Sequence, residues 1–399
     1  MSLRQLFPQL SESEIYLDNA ATTFMPYRVS EVLRTFNAKE YSSVYRGIYR
    51  RAEEATASFE EVRSKVATFI SAADVNSIVF TKGSTEGLNH VAWSWAFHYL
   101  SEGDELVVSE VEHHANLTPW LEVARLKKCV IRWIPVDSAG CLDVTDLNNI
   151  INNKTKLVAC TWVSNVTGLE SPLAQISSRT KAVGAALIID AAQAVVHRLV
   201  NVQLYEPDFL VFSGHKMHGP SGVGVLYVAP RRFEEIKPLY TGGGMVLEFD
   251  KDSVSYRSMP HLLEAGTPNI SGVIGLGAAI EFVSTYINAK VIKKEHRLVK
   301  KIYDFLKQQP SICILGDSDA DRALISFSVN NIHPHDVAAF LSEHGIAVRA
   351  GFHCAQPIHT ALNLTGSVRI SLACFNTEEE VDTVIKVLTE LFSVLPNNP

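Results

Sequence analysis

No two of the six cysteines, at positions 129, 141, 160, 313, 354 and 374, stand in a C-x-x-C pair. A zinc cluster or a thioredoxin-like redox pair therefore has no support. Scattered thiols of this kind fit a reducing compartment, so the expected location is cytoplasmic. No uncharged apolar run is long enough to cross a bilayer. Residues 1–8 lack the apolar core and small-residue cleavage site of a secretory leader. There is little excess charge of either sign: 36 Lys and Arg face 43 Asp and Glu, a formal net charge of -7. A mildly acidic chain is a poor match to nucleic acid or an anionic membrane. Internal repeats, low-complexity segments, a Walker A loop and a G-x-G-x-x-G fingerprint are all missing, which weakens nucleotide binding. What remains is an ordinary globular balance, 47% hydrophobic and 20% charged over 399 residues. That is enough apolar material for a large core and a length that suggests about two domains.

Short apolar runs at 77–80, 105–109, 130–135, 156–162, 185–189, 209–212 and 223–228 read as strands, with helical segments such as 87–98 and 117–126 between them. Continuous apolar strands separated by helices predict an α/β fold with a mostly parallel seven-stranded sheet covered on both faces. From about residue 271 the texture changes. One long helix is expected over 273–306, strands at 323–329 and 347–349, and helices near 335–344 and 378–392, which makes a smaller α+β C-terminal domain. The expected division is an N-terminal arm (1–24) packing on the small domain, a large domain (25–270) and the small domain (271–399). The basic run 290–301 reads as a solvated helix face.

Chemistry-bearing residues follow the ends of the predicted strands, where ligands gather in open α/β sheets. Asp190 ends the run Ala185-Ala186-Leu187-Ile188-Ile189, placed to meet a cation, and Gln193 follows; alone, Asp190 could be a cap or turn residue. In Ser213-Gly214-His215-Lys216-Met217-His218-Gly219-Pro220, glycines let backbone approach a ligand. Lys216 can bond covalently to an aldehyde cofactor, and Ser213 and His215 can donate to a phosphate. The two histidines lack a nearby third ligand, so a metal site is not expected. In Lys82-Gly83-Ser84-Thr85-Glu86-Gly87, small hydroxyl residues opening a helix can form an anion site, although Ser84-Thr85 alone also reads as a plain N-cap. His113, in Glu112-His113-His114-Ala115-Asn116, can stack on a flat ring or be an ordinary loop histidine. Together these pieces supply what pyridoxal phosphate (PLP) requires: a phosphate cradle, an acid for the pyridine nitrogen, a lysine for the aldehyde and a stacking partner. In Arg349-Ala350-Gly351-Phe352-His353-Cys354-Ala355-Gln356-Pro357, Cys354 sits in a Gly- and Pro-bounded loop. Arg349 and His353 are expected to favour its thiolate; the bland alternative is an inert buried thiol. Arg369 can offer a planar fork to a carboxylate.

In these motifs the chain resembles the group II cysteine desulfurases of PLP fold type I, which include SufS-like and CsdA-like proteins and selenocysteine lyases. The resemblance runs from Tyr16-Leu17-Asp18-Asn19-Ala20-Ala21-Thr22 through Glu112-His113-His114, Ser164-Asn165-Val166-Thr167-Gly168, Asp190 and the Lys216 loop. It continues through Glu264-Ala265-Gly266-Thr267-Pro268-Asn269 to the Cys354 loop, where it points to the cysteine sulfinate desulfinase branch. It implies that Lys216 holds PLP and moves the Cα proton, Asp190 pairs with the ring nitrogen and Gln193 contacts the ring hydroxyl. By the same resemblance His113 stacks on the ring, while Ser84, Thr85, Ser213 and His215 bind the phosphate. Thr267 would reach the phosphate of the partner subunit's cofactor, implying a homodimer. Asn165 and Arg369 would hold the substrate carboxylate, and Cys354 would accept sulfur as a persulfide.

The implied reaction converts L-cysteine to L-alanine, with cysteine sulfinate and selenocysteine as further substrates and a SufE- or CsdE-like acceptor protein as partner. Iron–sulfur cluster assembly is one destination for the sulfur. The alternatives are a selenocysteine lyase, a kynureninase-like or aminotransferase reaction on the same fold, and a non-catalytic partner protein. Two stretches depart from the family pattern. Val44-Tyr45-Arg46-Gly47-Ile48-Tyr49 stands where His flanks an Arg-Gly pair in many members, and Phe352 stands where many have His. Both are expected near the site's mouth.

Overall fold

The computed structural model describes residues 3–11 and 13–394. One sheet is built from β1 (Ile78–Thr81), β2 (Glu105–Ser109), β3 (Val130–Ile134), β4 (Thr155–Thr161), β5 (Ala186–Asp190), β6 (Phe209–Ser213) and β7 (Gly224–Val228). Their order is β1-β7-β6-β5-β4-β2-β3. Pairs among β2 to β6 are parallel, and β7 runs antiparallel to both its neighbours. The interior strands are buried almost throughout, as runs of Val, Ile, Leu and Phe covered on both faces must be. Alternate residues feed two cores. Val107, Val158, Ile189 and Phe212 join one, and Leu106, Leu157, Ile188 and Val211 join the other. Strand β3 lies at the edge, largely exposed, with Arg132 reaching across to Glu105 at 2.5 Å. A charged edge discourages pairing with another chain.

The second sheet contains β8 (Ile312–Leu315), β9 (Leu324–Val329), β10 (Arg349–Gly351) and β11 (Ser367–Ser371), in the antiparallel order β8-β9-β11-β10. Helices Ala289–Lys307, Pro334–Glu343 and Glu378–Val394 contribute to its core. The N-terminal segment touches both units. Ile15–Tyr16 pairs in parallel with Ile346–Ala347 and Leu17 enters the smaller core, while Phe7 packs on His218, Phe282 and Phe375.

The single helix expected over 273–306 is two helices, Ile270–Tyr286 and Ala289–Lys307, bent by 83°. The Asn288 side chain accepts from the N–H groups of Lys290 and Val291, so it starts a new helix at the break. Among the described residues no single helix is long and apolar enough to cross a membrane. The basic run on the second helix is partly engaged: Lys300 pairs with Asp304 and Asp319 at 2.6 Å, and Lys294 donates to the Asn376 carbonyl at 2.6 Å. The segment 87–98 begins earlier, as helix Ser84–Val91, and passes into a π-turn at Ala92–Ala96. Strands β1, β2, β5 and β6 run in one direction, so the Ser84, His113, Asp190 and Lys216 segments leave the same end of the large sheet.

Candidate active site

Ser84 opens its helix directly after β1, with Gly83 at φ +155° before it. The Ser84 N–H donates to Ser213 Oγ at 2.8 Å, and the two hydroxyls lie 2.9 Å apart. Strands β6 and β7 close the floor beneath them. A Cβ on Gly224 would stand 2.5 Å from Gly83 Cα and 2.6 Å from the Phe212 carbonyl. Ser84, Thr85, Ser213 and His215 line one cavity of about 600 Å³, with Lys82, Asn89 and Tyr240 at its rim. A helix N-terminus, two hydroxyls and an imidazole can together hold an anion. His215 is fixed from below: its Nδ1 lies 3.3 Å from Thr22 Oγ1, and its carbonyl accepts from the Thr23 N–H.

Asp190 occupies the last position of β5 and is 4% exposed. Its Oδ1 accepts from the Ala192 N–H at 2.9 Å; among the described residues nothing hydrogen-bonds its other oxygen. Burial pushes its carboxyl upward, and the Lys216 ammonium opposes that shift. Lys216 is displaced the other way. Burial drives its ammonium down, Asp190 and Cys354 oppose this, and Arg369 and Arg349 add to it. His113 is held at about 4, first by burial and then by the charges of Lys216, His114 and Arg369, so its ring is neutral at pH 7. Its Nδ1 accepts from the Ala115 N–H at 3.0 Å, which leaves the proton on Nε2. Gln193 donates to the Ala20 carbonyl at 2.7 Å and shares a narrow cleft with Lys216.

The Cys354 loop is tied to the large sheet at three points. The Cys354 carbonyl accepts from the His114 N–H at 2.5 Å, the Gln356 N–H donates to His114 Nε2 at 3.2 Å, and Asn165 Nδ2 donates to the His353 carbonyl at 2.8 Å. His353 and Cys354 both adopt left-handed backbone, φ 51° and 54°, and Cys354 is exposed. Arg369, on β11, is 2% exposed. It donates to the Asn165 carbonyl at 3.0 Å and to Asp18 Oδ1 at 3.1 Å, while its buried Nε has no partner. Asp18 also holds Arg349, at 3.0 Å.

These residues fit a known group. The class-V aminotransferase family model matches residues 15–384. A cysteine desulfurase of Serratia proteamaculans is 40% identical over 95% of this chain and 94% of its own length. One from Wigglesworthia glossinidia brevipalpis is 38% identical over 98% and 96%. The cysteine desulfurase of Thermococcus onnurineus superposes with a TM-score of 0.94 at 38% identity, and CsdA of Escherichia coli with 0.91 at 37%, each covering 98% of both chains. The chain belongs to the class-V aminotransferase family, among its cysteine desulfurases. It is a PLP-dependent enzyme with the fold-type I architecture of that family.

The residues present fit PLP. The Ser84–Ser213 pocket offers donors to a phosphate, Asp190 has an oxygen free for a ring nitrogen, and Lys216 brings a primary amine between Asp190 and Cys354. Two expectations change on the structure. His353 is expected to be a cationic neighbour of Cys354, but burial drives it down to about 2, so it is neutral. Its Nε2 lies 3.0 Å from Ser367 Oγ and anchors the loop instead. Arg349 is already paired with Asp18. Lys216 and Arg369 both interact electrostatically with Cys354.

Within one chain Thr267 does not join the anion pocket. It lines a neighbouring cavity of about 570 Å³ that shares Lys82, Glu86 and Tyr240 with that pocket. Tyr45 turns inward rather than toward the Cys354 loop: its hydroxyl donates to Glu60 at 2.5 Å and lies 3.1 Å from Arg63. Tyr49 lies 3.1 Å from Ser42 Oγ. Phe352 is part-exposed, with its ring edge-on to His359. Sequence reasoning missed Asp18, which joins Arg349 to Arg369, and Glu112, which is fully buried beside His113. Both lie inside motifs that carried the family resemblance, but no local spacing marked their partners.

Proposed function

We propose that this enzyme converts L-cysteine to L-alanine and retains the sulfur on Cys354 as a persulfide. The observation that supports this reading best is the tie between the exposed Cys354 loop and the residues assigned to cofactor and substrate: the His114 N–H donates to the Cys354 carbonyl, and Asn165 joins the His353 carbonyl to Arg369. PLP, when bound, supplies an electron sink for the pair released as the substrate Cα loses its proton. Arg369 retains unused N–H donors for the substrate carboxylate, and Asn165 orients both that guanidinium and the Cys354 loop. Lys216, pushed downward by burial, is placed to take and return a proton as a neutral amine. Asp190 would meet the ring nitrogen, Gln193 the ring hydroxyl, and neutral His113 the ring face. Ser84, Thr85, Ser213 and His215 receive the phosphate.

Cys354 then attacks the substrate sulfur. An S–S bond forms as the substrate Cβ–S bond breaks, the bonding pair stays with the carbon fragment, and that fragment takes a proton and leaves as alanine. Exposure of Cys354 leaves its persulfide open to a SufE- or CsdE-like acceptor. The cavity beside the anion pocket suits a homodimer in which Thr267 completes the partner's phosphate site. The protein works in the cytoplasm, where reduced thiols persist.

Alanine release by Cys354→Ala tests the assignment. Turnover of L-cysteine should collapse, while selenocysteine, with its better leaving group, retains measurable turnover. Wild-type rates on both substrates would remove Cys354 from the reaction.

A further inference from the structure

Glu112 is used by none of the steps above, yet it is 0% exposed, directly precedes His113 and accepts from Thr161, the register partner of Asp190. Its Oε1 accepts from Ser109 Oγ at 2.5 Å and from the Thr161 N–H at 2.8 Å. Its Oε2 accepts from Asn116 Nδ2 at 2.6 Å. Ser109 ends β2 and Thr161 ends β4, so one carboxyl ties two strand ends together. Thr161 is also the register partner of Asp190, and its hydroxyl lies 3.4 Å from the Asp190 carbonyl. Asn116 reaches the other way. Its N–H donates to the His113 carbonyl at 2.8 Å, and its Oδ1 accepts from Trp120 Nε1 at 3.0 Å.

We propose that Glu112 is a positioning residue for the cofactor site, setting the His113 loop and the Asp190 strand end against each other. The inference rests on the assignment of His113 and Asp190 to the ring. The hydrogen bonds fix the polarity of the network. Trp120 N–H holds the Asn116 oxygen, so Asn116 presents a donor to Glu112, and Thr161 presents a second donor from the main chain. Glu112 must therefore accept on both oxygens, whether or not it carries a proton shared with Ser109. The titratable groups facing it from the neighbouring strands are Cys160 on β4 and Asp190 on β5.

Glu112→Gln keeps the shape but turns one oxygen into a donor. If its amide nitrogen faces Thr161, a buried N–H loses its acceptor; if it faces Asn116, two donors collide. Leaving one buried donor unsatisfied corresponds to about a tenfold effect. The expected result is a PLP dissociation constant raised by about tenfold, a shifted visible absorption band in the loaded enzyme, and a lower kcat with little change in KM. The double variant E112Q/N116D restores an acceptor for the amide and keeps one for Trp120. It should bring the PLP affinity and the band back toward wild type, which a general loss of fold would not allow. E112Q with wild-type PLP affinity and spectrum, or a double variant no better than E112Q, overturns the proposal. Asp190→Asn and His113→Ala run alongside separate the two readings. If they too leave the spectrum unchanged, the ring assignment fails; if they shift it and E112Q does not, only the role of Glu112 fails.

Discussion

Replacing Asp190 with Asn removes a charge and almost nothing else. Asn has the same shape, and its amide oxygen can still accept from the Ala192 N–H. On the proposed placement, what is lost is a carboxylate that would face a protonated ring nitrogen, at a site 4% exposed. At a contact of about 3 Å and an effective dielectric of about 20, one such pair is worth roughly 5 kcal/mol. Partial relaxation brings the loss of transition-state stabilisation to about 3–5 kcal/mol, a fall in kcat of between about 10² and 4 × 10³-fold. The apoenzyme should respond in the opposite direction. Burial raises the Asp190 carboxyl above its unfolded value, so stability falls as the pH rises from the unfolded to the folded pKa and the full cost persists above it. Asn carries no such cost, and the apoenzyme Tm at pH 7.5 should match or exceed wild type. Steady-state alanine formation and apoenzyme melting are the two assays. A kcat within about fivefold of wild type would refute the placement of Asp190 against the ring.

Three other perturbations probe the frame around the site. Arg63 and Glu264, 1% and 6% exposed, make a bidentate pair at 2.7 and 2.9 Å, and Glu264 also accepts from the Phe80 N–H. Glu264→Gln should cost about 3–5 kcal/mol and lower the Tm by about 4–6 °C; an unchanged Tm would mean the pair contributes no stability. Gly224→Ala forces a methyl group against Gly83 and Phe212, and should raise the PLP dissociation constant about tenfold while Lys216 is intact; unaltered affinity would show that the pocket floor is not tight. Buried His218 is held down at about 4, below its unfolded value. Its contribution is fully present above about pH 6.5 and is lost as pH falls through about 6.5 toward 4, about 3 kcal/mol in all. Apoenzyme melting should therefore decline across that window and decline less steeply in His218→Phe, where His113 and His353 still contribute; equal slopes would count against a neutral His218.

The large sheet was legible because its interior strands are unbroken apolar runs, and each chemistry-bearing loop begins where such a run ends. Asp190 and Lys216 each follow such a run, and they became legible as a site only together with the Ser84 and His113 segments. The small sheet was harder to read. Strands β8 and β11 are short, and β11 carries a buried Arg369 where burial would ordinarily favour an apolar residue. The break at Asn288 escaped detection because neither Gly nor Pro marks it; the side chain that starts the new helix is its only sign. The charge state of the Cys354 loop was misread for a related reason. A His beside a Cys looks cationic in sequence, and only burial, with the charge of Arg369 nearby, makes His353 neutral. Asp18 bridges Arg349 and Arg369 across 331 and 351 residues, a separation that no local pattern reveals.

Convergence of Lys216, Asp190 and Cys354 on one substrate is tested most directly by a single turnover. The PLP-loaded enzyme is mixed with one equivalent of L-cysteine without reductant, alanine is quantified, and the digested protein is analysed by mass spectrometry. The expected outcome is one alanine per site and one added sulfur atom on the peptide carrying Cys354, with none on the peptides carrying Cys129, Cys141, Cys160, Cys313 or Cys374. Alanine formed with the extra sulfur on another cysteine, or on none, would contradict it.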